Sequence, residues 1–196
     1  MLNFLSLFKP SPDLNPIDPG KMLDQVIAVR AATLLKESGF KRQNSRTWTR
    51  QADRLIHILN VQASQWNQAS KASFTVNLAV LVPEAYSAVE GSKPPSLPKE
   101  YDGIMRTRLS SLKVGGTESW RSRDRWYDYG PQTDVLKLGT QLAEDIEKKG
   151  LPYFDRMRDL ASLLHILESR ALNPGLPMNK DAYAKEVRRL LAVEQA

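Results

Sequence analysis

The chain has 196 residues and no cysteine, with 28 Lys and Arg against 22 Asp and Glu, for a formal net charge of +6. That length fits one domain or one and a half, at the usual ~100–200 residues each, and a core of that size is stable without covalent staples. The missing cysteines exclude a disulfide scaffold, a thiolate zinc site, an iron–sulfur cluster and a cysteine nucleophile, and two histidines, His57 and His165, argue against a multi-histidine metal centre.

Met1 to Phe8 is a short apolar stretch without a basic leader or a small-residue cleavage pattern, which predicts a cytoplasmic protein. Its plain reading is a short docking helix; the alternative is a peripheral anchor. Pro10, Pro12, Pro16 and Pro19 then mark a linker. Asp18 and Pro19 open a helix over 20–38, with Leu23, Val26, Ile27 and Leu34 on one stripe and Gly39 at its end.

Three strands follow: 46–51, 55–62 and 72–82. Alternation puts Leu55, His57, Leu59 and Val61 on one face of the second, with Ile56, Ile58, Asn60 and Gln62 on the other. Phe74, Val76, Leu78 and Val80 form an unbroken apolar face on the third, backed by Thr75, Asn77, Ala79 and Leu81. Short connections make the three an antiparallel meander, central in a sheet with helices on one side. The prolines and glycines of 83–103 predict a long irregular excursion. Residues 104–112 read as a fourth strand, Gly115-Gly116 as a turn, and 119–129 as a fifth strand or an irregular aromatic segment.

From Asp134 the spacing becomes helical. Helices are expected over 134–149, closed by Gly150, over 152–169, and over 179–193 with Tyr183, Val187, Leu190 and Leu191 inward. No window approaches the ~18 uninterrupted apolar residues of a membrane span. Strands first and helices last give an α+β class: an antiparallel sheet of about four to five strands, an N-terminal helix, and C-terminal helices packed on one face. The expected organisation is an apolar turn and linker over 1–19, one α+β domain over 20–170 and an appended C-terminal helix over 171–196.

The charge is localised. Residues 41–66 carry five basic and one acidic residue, and 106–133 carry six and three, so these two segments hold +7 and the remainder −1. Strand parity groups Arg46 with Trp48 and Arg50, Arg106 with Arg108, and Arg121 with Arg123 and Arg125. The plain reading is a solvated sheet face with guanidiniums laid over Trp. The alternatives are a surface for single-stranded nucleic acid or another polyanion, or for an acidic protein partner.

His57 sits on an apolar strand face, where a histidine is ordinarily a hydrogen-bonded core residue, and otherwise a catalytic or switch group. Asn60, Gln62 and Asn77 fall on the mixed faces, and an unpaired buried amide costs ~1–3 kcal/mol. Either they form a structural network, or they floor a small ligand groove with Gln65 and Trp66 at its rim. No phosphate loop, no G-x-S-x-G and no metal-ligand spacing is present, so no catalytic residue, metal or cofactor is assigned.

The stretches LLKESGFKRQNSRTWTR (34–50), ILNVQASQW (58–66), FTVNLAV (74–80) and GLPYFDRMRDL (150–160) together resemble a bacterial family, domain of unknown function 4304. The resemblance covers roughly residues 24–160 and places Asn60, Gln62, Trp66 and Asn77 among the signature residues. It implies small bacterial proteins with no assigned catalytic residues, and some such families act as immunity proteins to secreted toxins. An inhibitor of a cationic nuclease toxin would be acidic, which this chain is not. The functional expectation is a non-catalytic protein-binding module, immunity-like or adaptor-like, using an exposed sheet face and the 83–103 loop. The alternatives are a polyanion binder through the Arg/Trp faces and a ligand-binding or catalytic pocket around His57, Asn60, Gln62, Trp66 and Asn77. The oligomeric state is left open.

Overall fold

The fold was described from a computed structural model covering residues 15–117, 125–169 and 179–194. Asp18 caps the first helix through its carboxylate, which accepts from Lys21 N at 3.0 Å. The expected single helix over 20–38 is two: α1 (Pro19–Val29) and α2 (Ala31–Glu37), divided where Arg30 leaves the helical region at φ −151°. Both bury one stripe, Leu23, Val26 and Ile27 from α1, Ala31 and Leu35 from α2.

Among the described residues, six strands form one antiparallel sheet: β1 (Lys41–Arg42), β2 (Thr47–Ala52), β3 (Leu55–Ala63), β4 (Ala72–Leu81), β5 (Met105–Arg108) and β6 (Tyr127–Tyr129). The order is β1-β2-β3-β4-β5. β3 runs along one edge of β4 from Phe74 to Leu81, so β5 (against Asn77–Val80) and β6 (against Ala72–Phe74) share the other. β4 is the centre of the sheet because nearly all its side chains, on both faces, are apolar or small and buried. The expected meander and the expected α+β class are both present.

Three expectations about individual segments need correction. The 83–103 excursion is not irregular throughout. It holds α3 (Pro83–Glu90), opened by Pro83 and closed by Gly91 at φ +70°, and a 3-10 turn at Glu100–Asp102. Pro83 and Gly91 are helix boundaries there, the positions each residue favours, and not breaks along a loop. The fourth strand stops at Arg108. Leu109 and Leu112 are both buried, yet three residues apart on a strand they would face opposite ways. A 3-10 turn at Leu109–Ser111 puts them on one side. Gly150 does not end its helix: α4 (Val135–Asp145) runs through a π-helical turn, Ile146–Gly150, into α5 (Leu151–Asp155). Pro152 has no N–H to give the Lys148 carbonyl four residues back, and Gly115 N–H takes that place at 2.9 Å. Of the fifth strand only Tyr127–Tyr129 is described, since 118–124 lie outside the described residues.

The expected single helix over 152–169 is also divided: α5 ends at Asp155, and after a turn at Arg156–Asp159 the extended Asp159 caps α6 (Leu160–Glu168) by accepting from Ser162 N at 2.7 Å. α7 (Lys180–Glu194) lies against α6 and α3 and buries Tyr183, Val187 and Leu190 in the main core, with Leu191 only partly covered. One core thus joins the helices to the inward face of the sheet: Trp48 from β2, Leu55, Leu59 and Val61 from β3, and Phe74, Val76, Leu78 and Val80 from β4. α4 packs closely on α1; a Cβ on Gly139 would sit 2.6 Å from the Val26 carbonyl oxygen and from Val29 Cβ. The outward face carries only a small second cluster, Ile58, Ala79 and Leu81, lidded by Tyr86 of α3. Beyond that lid, toward the β3–β4 hairpin, Gln62 is exposed while Asn77 and Thr75 are buried.

Candidate binding face

The register decides which predicted site residues meet. His57 pairs with Arg50 on β2 and Val80 on β4, on the inward face. It is fully buried and stacks on Phe154 with centroids 4.8 Å apart. A carbonyl oxygen only accepts, so His57 Nε2–H donates to Met157 O at 2.8 Å. That leaves Nδ1 as the acceptor for Arg50 Nε at 3.3 Å and Nη2 at 3.2 Å. Burial holds the imidazole well below its ordinary value, at about 4; the Met157 bond opposes the shift, and the Arg50 charge adds to it. His57 is thus a neutral, doubly bonded core histidine. It lies on the opposite side of the sheet from Asn60, Gln62 and Asn77 and forms no pocket with them.

The Arg46/Trp48/Arg50 face points inward too. Trp48 is 2% exposed, with the Arg42 guanidinium 5.7 Å from its ring centroid. Arg50 bonds Asp155 at 3.1 Å and the Ser38 carbonyl at 3.2 Å, and lies 4.9 Å from the Phe40 centroid. Arg46 reaches Asp24 at 3.0 Å and the Gly20 carbonyl at 3.0 Å. These three residues tie the sheet to the helices. Their side chains do not form an open aromatic platform.

The outward face gathers the rest. One row across the sheet reads Thr47, Asn60, Asn77, Arg108, and the next reads Thr49, Ile58, Ala79, Arg106. Asn60 Nδ2 donates to Thr47 Oγ1 at 3.0 Å. Asn77 Nδ2 donates to Gln62 Oε1 at 2.7 Å, which turns the Gln62 amide nitrogen outward. Gln62, which is exposed, and Asn77, which is buried, line an open recess of about 330 Å³ with Tyr101, Arg106 and Arg108. Asn60 is not part of that lining. Arg108 lies over the Trp126 ring, 5.3 Å from the centroid. Arg106 is exposed, and its one described bond is a 3.5 Å approach to the Tyr101 carbonyl. Past Tyr101 and Arg106 a second recess of about 300 Å³ continues to Tyr86, Glu90 and Tyr183, whose hydroxyl donates to Glu90 Oε1 at 2.6 Å. Burial, the Glu90 bond and its charge raise the Tyr183 phenol above its ordinary value.

Trp66 does not rim this recess. It stands 81% exposed at the tip of the β3–β4 hairpin, beside a separate recess with Ser64, Asn67 and Lys71. That tip is fixed by Asn67, which accepts from Ser73 N–H and donates to the Tyr129 hydroxyl, and by Tyr129, which donates to the Pro19 carbonyl. Arg125 is exposed, with its backbone N–H on Ser110 Oγ at 3.3 Å. Arg121 and Arg123 lie outside the described residues. Tyr101, 58% exposed, was not singled out by the sequence, although an aromatic between the acids Glu100 and Asp102 in a proline-rich stretch was a visible signal.

Together the fold and this face define a class: an α+β protein with one sheet face sealed by helices and the other partly open, polar and arginine-bearing. A family model described as a domain of unknown function (DUF4304) matches residues 31–156. That is more than half of the chain, and the chain belongs to this family. The match spans α2 to α5 and includes every strand. No curated protein and no solved structure matches. Among the described residues, no helix is long and apolar enough to cross a membrane.

Proposed function

We propose that this chain is a non-catalytic protein-binding module, adaptor-like or immunity-like, whose recognition surface is the outward sheet face walled by the 83–103 segment. One observation carries the reading. The side chains that make this face concave, Gln62, Asn77, Tyr101, Arg106 and Arg108, come from three parts of the chain, and the exposed Gln62 and Arg106 direct donors at solvent. Exposed Tyr and Arg around a polar recess are the residue types that anchor protein interfaces. The one buried histidine, which a catalytic reading would need, has both ring nitrogens committed on the sealed side.

Affinity capture from the source cells, with matched baits, tests this. Wild-type protein and a Lys137→Gln control, altered on exposed α4, are expected to retain the same stoichiometric partner. Tyr101→Ala and Arg106→Glu are expected to lose at least nine-tenths of it while remaining folded. Capture that is indifferent to both face variants would overturn the proposal.

A further inference from the structure

Resting on that reading, we infer that the recess between Gln62, Tyr101 and Arg106 receives carboxylates from an acidic segment of the protein partner. The chemistry of the lining points there. Arg106 forms no ion pair among the described residues, and its guanidinium is exposed beside the recess. The Gln62 amide accepts from Asn77 through its oxygen, so its two N–H groups face outward with no acceptor among the described residues. Arg108 lies against Trp126 on the same wall. Glu100 is the acidic member of the lining. The planar Arg106 guanidinium and the Gln62 amide donors match carboxylate geometry.

Single-stranded nucleic acid shares the negative charge but fits less well. Binding it needs free aromatic faces on which bases stack. Trp48 is buried, Trp126 carries Arg108, and Lys99 lies 5.6 Å from the Tyr101 centroid. One face of Tyr101 and one of Trp126 are already occupied by cations of this chain. Trp66, which is free, stands at the hairpin tip by a different recess.

Fluorescence anisotropy on the full chain tests the inference, with a labelled hexaglutamate peptide, a hexalysine peptide of equal length and a ten-residue oligothymidylate as probes. At 50 mM salt the glutamate peptide is expected to bind wild type and Lys137→Gln alike. Arg106→Gln should bind it at least tenfold more weakly and Gln62→Leu about threefold. The peptide should also displace the captured partner. Equal peptide affinity for wild type and Arg106→Gln would overturn the inference, as would oligothymidylate or hexalysine binding more tightly than the glutamate peptide. If Tyr101→Ala and Arg106→Glu abolish capture while the glutamate peptide neither binds nor competes, the partner uses this face by other chemistry. The acidic-segment inference then fails and the binding-module reading stands.

Discussion

Gly116→Ala is expected to lower the unfolding free energy by about 3–5 kcal/mol, whereas Gly115→Ala next to it is expected to cost only about 1 kcal/mol. Both glycines have positive φ, +73° at Gly116 and +87° at Gly115, so both substitutions carry the left-handed backbone penalty. They differ in space. A Cβ on Gly115 meets nothing within 4 Å. A Cβ on Gly116 would lie 2.2 Å from Tyr153 N and 2.5 Å from the Pro152 carbonyl carbon, both helix backbone. Relief requires lifting the 113–117 turn, which also strips Gly115 N–H from Lys148 O and Arg156 Nη1 from Gly116 O, at 2.9 and 3.0 Å. The Lys148 carbonyl then loses the N–H that stands in for the one Pro152 lacks, and a hydrogen bond of this kind contributes about 0.5–1.5 kcal/mol. Urea unfolding of both variants at pH 7 measures the contrast. Equal losses would show that this turn does not complete the π-helical segment.

The second large effect is acid sensitivity through His57. Its folded pKa, about 4, lies below the ordinary histidine value of 6.5. The unfolded chain therefore binds the proton first as pH falls, and stability drops. The sign follows: the contribution is complete above pH 6.5 and is lost progressively down to about pH 4. At 1.36 kcal/mol per unit of difference, the loss is about 3 kcal/mol. Protonation would put a hydrogen on Nδ1, against the Arg50 guanidinium that now donates to it. His57→Leu removes the titration but leaves Arg50 and the Met157 carbonyl short of a partner, so at pH 7 it should be about 3 kcal/mol less stable than wild type. The difference between the two proteins is the readout, because it cancels every carboxylate they share. It is expected to shrink toward zero by pH 4, and a gap constant from pH 7 to pH 4 would contradict the assignment.

What could be read in advance follows period and chemistry. Alternation in β3 and β4 placed Leu55 to Val61 and Phe74 to Val80 on the helix side, because a period of two admits no other arrangement once one face is apolar. It could not say that Arg106 and Arg108 would share a face with Asn77, since that depends on β5 pairing with β4 in one register. Trp48 and Arg50 read as a surface group because arginine on a strand usually is one. Here the guanidinium is neutralised by Asp155 and accepted by a buried imidazole, both from distant positions that local pattern does not connect. His57 as a satisfied core residue was legible from its apolar neighbours, but Met157 as its partner was not. Gly150 misled because a glycine shortly before a proline ordinarily stops a helix; here a π-helical turn carries the chain on, with Gly115 N–H on the Lys148 carbonyl.

Amide chemical-shift mapping of the isotopically labelled chain with its captured partner tests whether the outward face is the recognition surface. Perturbations are expected at residues 60–62, 75–79 and 99–108, with α4 and α6 unmoved. Perturbations centred on α4 and α6, with the Gln62–Arg106 recess silent, would contradict that reading.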